Sequence, residues 1–393
     1  MGLRFDLYDF SINQDPYPVY ARLREEAPVF RNEELDFWAL SRHADVTTAL
    51  RDTRRYSNSH GVLLEEGAWD PEVAPKFLSF LAMDAPQHTR MRSLVSRGFT
   101  PRRIAALEDR IRGIVRGYLD EALQSDEFDL VKDLAGKVPT DVICELSGVP
   151  ESDWPAVGRM MTNVMYRVDN VPGIPPEAME AAVGLYGYYA ALVTDRRSNP
   201  RDDMASTLVQ ASADGDSLTD EEIIGFMFLM IGAGNQTTAH LLGNAWYWAW
   251  RNPDQRKAGL GGRIADWVEE SLRYDHPSPA SARLLTEDVT LHDVTIPAGE
   301  RVLLLMGSAN RDPRVFPDPE RFDLDRDTKA MATFGGGPHF CLGSPLARLE
   351  SRVVLEELSA RITDYEIDEQ RAVRTHAASV HGFTAMPTTL TLR

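Results

Sequence analysis

The chain has 393 residues, 43% of them hydrophobic and 26% charged, a composition typical of a globular protein long enough to bury a large core. With 42 Lys and Arg against 60 Asp and Glu, the formal charge of -18 argues against a broad surface for nucleic acid or an anionic membrane. The N-terminal residues show no signal-peptide pattern, the apolar runs are too short to cross a bilayer, and two cysteines make no disulfide framework. We therefore expect a cytoplasmic protein with neither a nucleic-acid nor a membrane partner.

Most of the chain before residue 275 has the apolar spacing that predicts helices. At residues 100–123, Thr100 is a suitable N-cap and Pro101 suits the first helical position. A longer helix is predicted after Thr219, which can form a capping box with Glu222, and should run to about Trp250. Its centre is apolar on nearly all sides, which predicts that this helix is buried.

Strands are predicted at FWALSR early in the chain, in short β-rich runs after residue 280, and in the final TTLTLR. The chain contains no internal repeat, low-complexity segment or obvious interdomain linker. The sequence therefore predicts a single domain over residues 1–393, mainly α-helical with a minor sheet, of class α+β.

The segment FGGGPHFCLG, residues 334–343, presents Cys341 in a glycine-rich loop before a predicted helix. A lone cysteine is commonly a small buried side chain. His339 is poorly placed as the base for a catalytic thiol, because side chains two residues apart do not readily face each other. A third interpretation is a metal ligand, since glycines let backbone amides approach and a helix N-terminus stabilises a thiolate. Further Cys or His at zinc spacing are absent, so a cofactor would supply the other ligands, as the four nitrogens of a haem can.

This loop resembles the haem-binding segment of the cytochrome P-450 superfamily, Phe-Gly-x-Gly-x-His-x-Cys-x-Gly. Every fixed position of that pattern is met, by Phe334, Gly335, Gly337, His339, Cys341 and Gly343. The resemblance covers essentially the whole chain. It implies the cytochrome P-450 fold with a long central helix, a haem b cofactor with Cys341 as axial thiolate, and monooxygenation of a small organic molecule by O2.

Glu270 and Arg273 in VEESLRY stand three residues apart, which is by itself a routine helix pair. The resemblance implies instead a buried pair that locks onto an arginine of a downstream loop, and Arg321 in DPERF is the match. A charge-assisted triad of this kind is structural, and it would hold the cysteine loop in place.

His88 and Arg92 in DAPQHTRMR are four residues apart and share one helical face. Such a face either is a solvated basic surface or binds a carboxylate. The resemblance assigns both residues to the haem propionates, together with Arg283 and His339.

Midway along the long helix, AGNQTT places a glycine and two threonines where helix formers are expected. This predicts either a tolerated packing irregularity or a local distortion by threonine hydroxyls that bond to carbonyls four residues earlier. By resemblance the segment is the oxygen-binding groove, where Gly234 fits the pattern and Thr237 is the residue that hydrogen-bonds the oxygen. Gln236 replaces the usual acid of the proton relay, and an amide holds water but does not readily exchange a proton. A water chain, another group or slow proton delivery all stay open.

Four residues are candidate substrate contacts by spacing and resemblance, three of them on one side of the long helix. They are Phe226, Met230, Ala233 and Val380. The segments at residues 59–70 and 378–383 also fall where the family lines its pocket. The methionines at positions 160, 161 and 165, followed by Tyr166, form an adaptable apolar cluster that is either core or part of a substrate lid.

Eight arginines but only two acidic residues lie between Arg90 and Arg116. The pattern fits solvated helix faces or a docking surface for an electron donor, whose binding would then be salt-sensitive. The resemblance implies ferredoxin and an NAD(P)H ferredoxin reductase as electron donors, because no flavin or iron–sulfur module fits in this length.

The leading expectation is a cytochrome P-450 monooxygenase of specialised, natural-product metabolism. The missing acid at Gln236 keeps open a second hypothesis, oxidative C–C or C–N coupling of aromatic substrates such as tryptophan-containing cyclic dipeptides. A third hypothesis is a non-catalytic activator protein related to the family. The retention of Cys341, Thr237 and the Glu270–Arg273 pair argues against it.

Overall fold

The computed structural model describes residues 2–65, 68–125, 127–166, 173–213 and 216–393. The chain is mainly helical with several small sheets, which confirms the predicted class. The α-helices of this part are α1 Phe10–Gln14, α2 Tyr17–Glu26, α3 His43–Arg51, α4 Ala74–Leu78, α5 Gln87–Val95, α6 Pro101–Ala106, α7 Glu108–Ala122, α8 Val138–Ser147, α9 Trp154–Val164, α10 Pro176–Ser198, α11 Met204–Val209, α12 Asp220–Arg251, α13 Pro253–Leu260, α14 Ile264–Tyr274, α15 Met306–Ala309 and α16 Ser344–Arg361.

The strands are short and fall into one larger sheet and several small ones. They are β1 Val29–Asn32, β2 Phe37–Leu40, β3 Tyr56–Ser57, β4 Phe128–Asp129, β5 Ser212–Ala213, β6 Asp216–Ser217, β7 Ser281–Leu285, β8 Val289–Leu291, β9 Val294–Ile296, β10 Arg301–Leu304, β11 Ile362–Ile367, β12 Val373–Arg374, β13 Phe383–Ala385 and β14 Pro387–Leu392. The predicted strands at FWALSR and TTLTLR are confirmed as β2 and β14.

The larger sheet joins the first sixty residues to the region after residue 280. Its strand order is β1-β2-β10-β7-β3, with β10 parallel to β2 and the other neighbours antiparallel. Trp38 of β2 lies opposite Val302 of β10, and Val302 lies opposite Arg283 of β7. The sheet therefore fixes the position of Arg283, a predicted site residue.

Helix α12 is the central element and spans 32 residues. The Thr219 side chain accepts from the Glu222 amide, and the Glu222 carboxylate accepts from the Thr219 amide, so the predicted capping box is confirmed. Helices α4, α8, α10, α14 and α16 pack against it. Near its end, the fully buried Trp246 stacks on Tyr365 with ring centroids 3.6 Å apart. The core thus surrounds α12, as its apolar sequence predicts.

The helix predicted at residues 100–123 is divided in two. Thr100 caps α6 by accepting from the Arg103 amide, and Pro101 opens it, as predicted. The Leu107 amide then bonds to the Ile104 carbonyl, three residues back instead of four, and α7 begins at the next residue. This tighter turn ends α6, so the prediction of one continuous helix is wrong at that point.

An ion-pair network joins α7 to α16. Arg112 of α7 binds Glu108, Glu356 and Glu357, and Arg352 of α16 binds Glu108 and Glu356. Networks of bidentate arginines hold two helices in one register better than an isolated surface pair does. The network therefore fixes the position of α16, the helix that follows the cysteine loop.

Within the described ranges, no helix is both long enough and apolar enough to span a lipid bilayer.

Candidate functional site

The loop at residues 334–343 is shaped by two glycines in the left-handed region, Gly335 with φ of 71° and Gly337 with φ of 62°. A Cβ on Gly337 would also lie only 3.0 Å from the backbone of Arg51 in α3. The Cys341 amide donates to the Phe334 carbonyl over 2.9 Å, which closes the loop. The glycines therefore let the chain turn back tightly and present Cys341 just before α16.

Cys341 retains solvent-accessible surface, although protein atoms surround most of its thiol. Burial raises the pKa of its thiol, while the Gly343 and Ser344 amides and the Arg92 and Arg348 charges act in the opposite direction. These donors would stabilise a thiolate once a metal displaces the proton. In the part of the chain that the structure describes, no three His, Cys, Asp or Glu side chains gather as a metal site.

Four predicted propionate-binding residues come together from three separate elements. His88 and Arg92 lie on α5, Arg283 on β7 and His339 in the cysteine loop. The imidazole rings of His88 and His339 are 4.0 Å apart. Arg92 donates through Nη2 to the Phe340 carbonyl over 2.6 Å, which ties α5 to the cysteine loop. The structure thus gathers residues separated by more than 200 positions in the chain.

We call these four residues the cradle. Three of their nitrogens are buried without a hydrogen-bond partner: His88 Nε2, Arg92 Nη1 and His339 Nδ1. Burial and the charges of His88, Arg283 and Arg92 lower the pKa of His339 to about 3. Burial also lowers the pKa of Arg283 to about 10, opposed by the charge of Asp84.

Buried donors and cations without partners are costly, so the cradle favours an anionic ligand. A ligand that carries carboxylates beside a metal, such as a haem with its two propionates, fits both the cradle and the neighbouring thiol.

The charge-assisted triad of Glu270, Arg273 and a downstream arginine differs from the prediction in its third member. Glu270 and Arg273 are fully buried and form a bidentate pair at 2.6 and 2.8 Å. The third member is Arg326, whose Nε lies 3.3 Å from Glu270, whereas the predicted Arg321 has a side chain that is 65% exposed and lies near Asp323. The assignment of Arg321 is therefore wrong.

The path of the backbone explains why Arg326, and not Arg321, binds Glu270. The Arg321 carbonyl points inward and accepts from Arg273 and Arg326, so its side chain points to solvent, and the chain returns to the pair five residues later. Both arginines lie in the loop downstream of the Glu270–Arg273 pair, and the sequence carried no signal for which of the two binds Glu270.

The predicted oxygen groove lies on α12, which continues through it without a break. Thr237 donates its hydroxyl to the Ala233 carbonyl over 2.7 Å, as predicted for a threonine inside a helix. Gly234 has a packing reason to be glycine, because a Cβ there would lie 2.9 Å from Ile143 Cδ1 of α8. Ala233 is exposed, and Gln236 and Thr237 are partly exposed, so these three side chains can meet a ligand.

The candidate substrate contacts separate into exposed and buried residues. Phe226 and Met230 are buried, and the Phe226 ring packs on Phe80 and Phe99 at centroid distances of 6.0 and 6.2 Å. The structure thus places both in the aromatic core beside α12, and only Ala233 of the three offers an open surface. Val380 is buried in the loop before β13.

The other pocket-lining predictions are described only in part. In the segment 59–70, residues 66 and 67 lie outside the described residues. In the methionine cluster Met161 is buried while Tyr166 is exposed, a division that leaves both predicted roles open.

Most of the arginines between positions 90 and 116 already pair with acidic side chains. The pairs are Arg90 with Asp216 and Glu222, Arg103 with Asp202, Arg110 with Glu145 and Glu151, Arg112 with Glu108, Glu356 and Glu357, and Arg116 with Glu357. These contacts neutralise much of the charge that the sequence suggested for a docking surface.

Sequence reasoning missed Asp275, the residue that follows α14, the helix that carries Glu270 and Arg273. It is fully buried and accepts hydrogen bonds from Tyr17 at 2.9 Å and Trp248 at 2.6 Å. A single aspartate after a helix has no distinctive pattern, and its partners come from distant parts of the chain.

The chain is similar to known proteins of one family. The family model described as Cytochrome P450 matches residues 265–373. The chain is 48% identical to "Putative cytochrome P450 123" of Mycobacterium tuberculosis over 100% of this chain and 98% of the relative. It is 39% identical to "Vitamin D(3) 25-hydroxylase" of Pseudonocardia autotrophica, covering 98% and 96%. The solved structure of cytochrome P450 CYP109Q5 from Chondromyces apiculatus superposes with a TM-score of 0.91 at 33% identity, covering 100% of both chains.

Proposed function

The chain belongs to the cytochrome P450 family of oxidoreductases, and we propose that it is a single-domain haem b monooxygenase over residues 1–393 that oxidises a small organic molecule with O2. The observation that carries the proposal is the cradle: three buried nitrogens, of His88, Arg92 and His339, lack partners beside the accessible Cys341 thiol. This arrangement pairs an anion site with a metal ligand, as a haem requires.

Each residue of the site has a role in this proposal. Cys341 would bind the haem iron as a thiolate, and His88, Arg92, Arg283 and His339 would hold the propionates. The Glu270, Arg273 and Arg326 side chains hold the loop that carries the cysteine. A bound haem with a thiolate ligand supplies the oxidising chemistry and the electron density that favours O–O cleavage.

The chain's own part in proton delivery centres on Thr237 and Gln236. The Thr237 hydroxyl donates to Ala233, so its oxygen lone pairs are free to accept a hydrogen bond from a water or a substrate group. Gln236 can hold a water by donating or accepting, but it does not readily exchange a proton. We propose that protons reach the groove along waters held by these two side chains.

The substrate site faces α12 at Ala233, beside the loop that contains Val380. An alanine leaves space for a carbon skeleton and offers no charge to a ligand. The likeness to a relative named as a vitamin D(3) hydroxylase supports an apolar small molecule. We place the reaction in specialised, natural-product metabolism, with electrons supplied by ferredoxin and its NAD(P)H-dependent reductase.

The test is turnover in 18O2 with a ferredoxin and its reductase, after substrates are chosen by a spin-shift screen of apolar small molecules. We expect products that carry one labelled oxygen atom. Unlabelled coupled dimers would instead favour the second candidate, oxidative coupling of aromatic substrates, which the amide at Gln236 keeps open. A correctly folded wild-type protein that takes up no haem would overturn both.

A further inference from the structure

Asp275 is a fully buried carboxylate that gathers side chains from four parts of the molecule. Besides Tyr17 and Trp248, His381 Nε2 lies 3.1 Å and Arg374 Nη1 3.3 Å from its carboxylate oxygens. Burial alone would raise the pKa of Asp275, but the charges of His381 and Arg374 and the hydrogen bonds from His381 and Trp248 hold it well below its usual range. The group is therefore ionised, with α2, α12 and the β12–β13 connection bound to it.

The backbone around Asp275 is held by a second set of hydrogen bonds. Asn244 of α12 donates through Nδ2 to the carbonyls of both Asp275 and His381, each over 3.0 Å. The His381 amide donates to the Pro277 carbonyl over 2.9 Å. These bonds join the segment 276–282, which follows Asp275, to the loop 375–382. The two segments therefore form one unit.

This unit contacts α12, which carries the proposed oxygen groove, and runs into β7, which carries Arg283. His240, one turn beyond Thr237 on α12, touches the loop so closely that a Cβ on Gly382 would lie 2.5 Å from its ring. The segment 276–282 continues into β7, which carries Arg283. The loop that contains Val380 is thus fixed to α12 one turn beyond Thr237, and to the segment that leads into β7.

We propose that Asp275, acting through His381, is a positioning residue for substrate selectivity: it sets where Val380 and the loop 375–382 stand as a wall of the substrate site, without touching the substrate. Buried supporting contacts of this kind decide wall positions to fractions of an ångström, and small displacements change ligand binding strongly. The inference rests on the proposed function, because the wall matters only if a haem and its substrate occupy the site.

The test uses two probes of different size on the haem-loaded protein, imidazole and 4-phenylimidazole, whose binding is followed by absorbance. The phenyl group must be accommodated within the substrate site, whereas imidazole alone needs little space. The variants are Asp275→Asn, His381→Leu, which loses the donor, and His381→Gln, which keeps one. Asp312→Asn is the matched control, a buried carboxylate that accepts from the His43 amide and Arg314.

We expect Asp275→Asn and His381→Leu to raise the Kd of 4-phenylimidazole about tenfold, while the Kd of imidazole changes by less than about twofold. His381→Gln and Asp312→Asn should stay close to wild type. Hydrogen exchange in residues 375–382 should quicken in the first two variants only, with or without haem. If Asp275→Asn does not fold, the Leu and Gln variants of His381 decide alone.

Equal weakening of both azoles, no weakening of either, or equal behaviour of the two His381 variants would overturn the inference while leaving the proposed function intact. A haem-loaded wild-type protein that binds neither azole would overturn this inference alone, whereas a wild-type protein that takes up no haem would overturn the proposed function and this inference with it.

Discussion

The guanidinium Nε of Arg326 lies 3.3 Å from the Glu270 carboxylate, and only 8% of the Arg326 side chain is exposed. Glu270 thereby binds two arginines, Arg273 on its own helix and Arg326 from the loop that leads to Cys341. The Asp323 amide of the same loop also donates to Glu270, and Arg326 adds the charged contact between α14 and that loop, so it should be a structural determinant of the cysteine loop.

Replacing Arg326 by Ala should lower the free energy of unfolding by about 2 kcal/mol, because a charge-assisted hydrogen bond to a buried carboxylate is lost. Arg321→Ala is the matched control and should change it by less than about 0.5 kcal/mol, since that side chain is mostly exposed. Denaturant unfolding of both variants measures the difference. Equal losses would contradict the exchange of roles between these arginines.

Cys341→Ser should abolish thiolate ligation. We expect the reduced carbon monoxide complex of this variant to lack the red-shifted Soret band that the wild-type protein should show. Cys144→Ser is the control, because Cys144 is fully buried in α8 and burial raises the pKa of its thiol to about 12. It should keep the band and lose about 1–3 kcal/mol of stability. A band that survives in Cys341→Ser would disprove the ligand assignment.

Two neighbouring glycines of the cysteine loop should respond differently to substitution. Gly337→Ala introduces a side chain at φ of 62° and 3.0 Å from the Arg51 backbone, and should cost at least about 1–2 kcal/mol. Gly336 has extended backbone, and its nearest neighbour to a Cβ is 3.5 Å away, so Gly336→Ala should be nearly neutral. Thermal unfolding of the two variants compares them, and a reversed order would show that the loop is shaped otherwise.

Glu350 and Glu357 lie two turns apart on α16, and they should make the stability of the protein change with pH in opposite directions. Burial raises the pKa of Glu350 well above its usual 4.5, and its Oε2 has no partner. The folded state therefore holds the proton that the unfolded state releases, and stability falls as pH rises above 4.5 towards the raised pKa.

Glu350→Gln should remove that fall, so its stability relative to wild type should grow by up to about 1.4 kcal/mol per pH unit in that range. Burial also opposes ionisation of Glu357, but hydrogen bonds and charges from Arg116 and Arg112 lower its pKa overall. Glu357→Gln should therefore be destabilising at neutral pH, and the deficit should shrink as pH falls below 4.5. Denaturant unfolding between pH 4 and 8 tests both, and parallel curves for Glu350→Gln and wild type would refute the buried neutral acid.

Gln236→Glu tests proton delivery. A carboxylate at this partly exposed position on α12 can exchange protons, so the fraction of electrons that ends in product should rise. Gln236→Met, which has a similar length but neither donor nor acceptor for water, should lower that fraction. Product formed per NAD(P)H consumed is the measurement. If the Glu, Met and wild-type proteins couple electrons equally well, side chain 236 has no part in the relay.

Sequence alone determined the features whose causes are local. The capping box joins Thr219 and Glu222, which are three positions apart, and the glycines of the cysteine loop are dictated by the backbone angles at their own positions. The apolar character of α12 on nearly all sides likewise predicted that it is buried. Such signals are readable because the interacting groups are close neighbours in the chain.

Only the tertiary structure decided which distant side chains meet. In the folded chain Arg326, and not Arg321, binds Glu270. Most of the arginines between positions 90 and 116 pair with acidic side chains, and Asp275 contacts Arg374, 99 residues away. The cradle gathers its members in the same way, from α5, β7 and the cysteine loop. A charged side chain has many partners of suitable chemistry in a long chain, and the packing of the core selects among them.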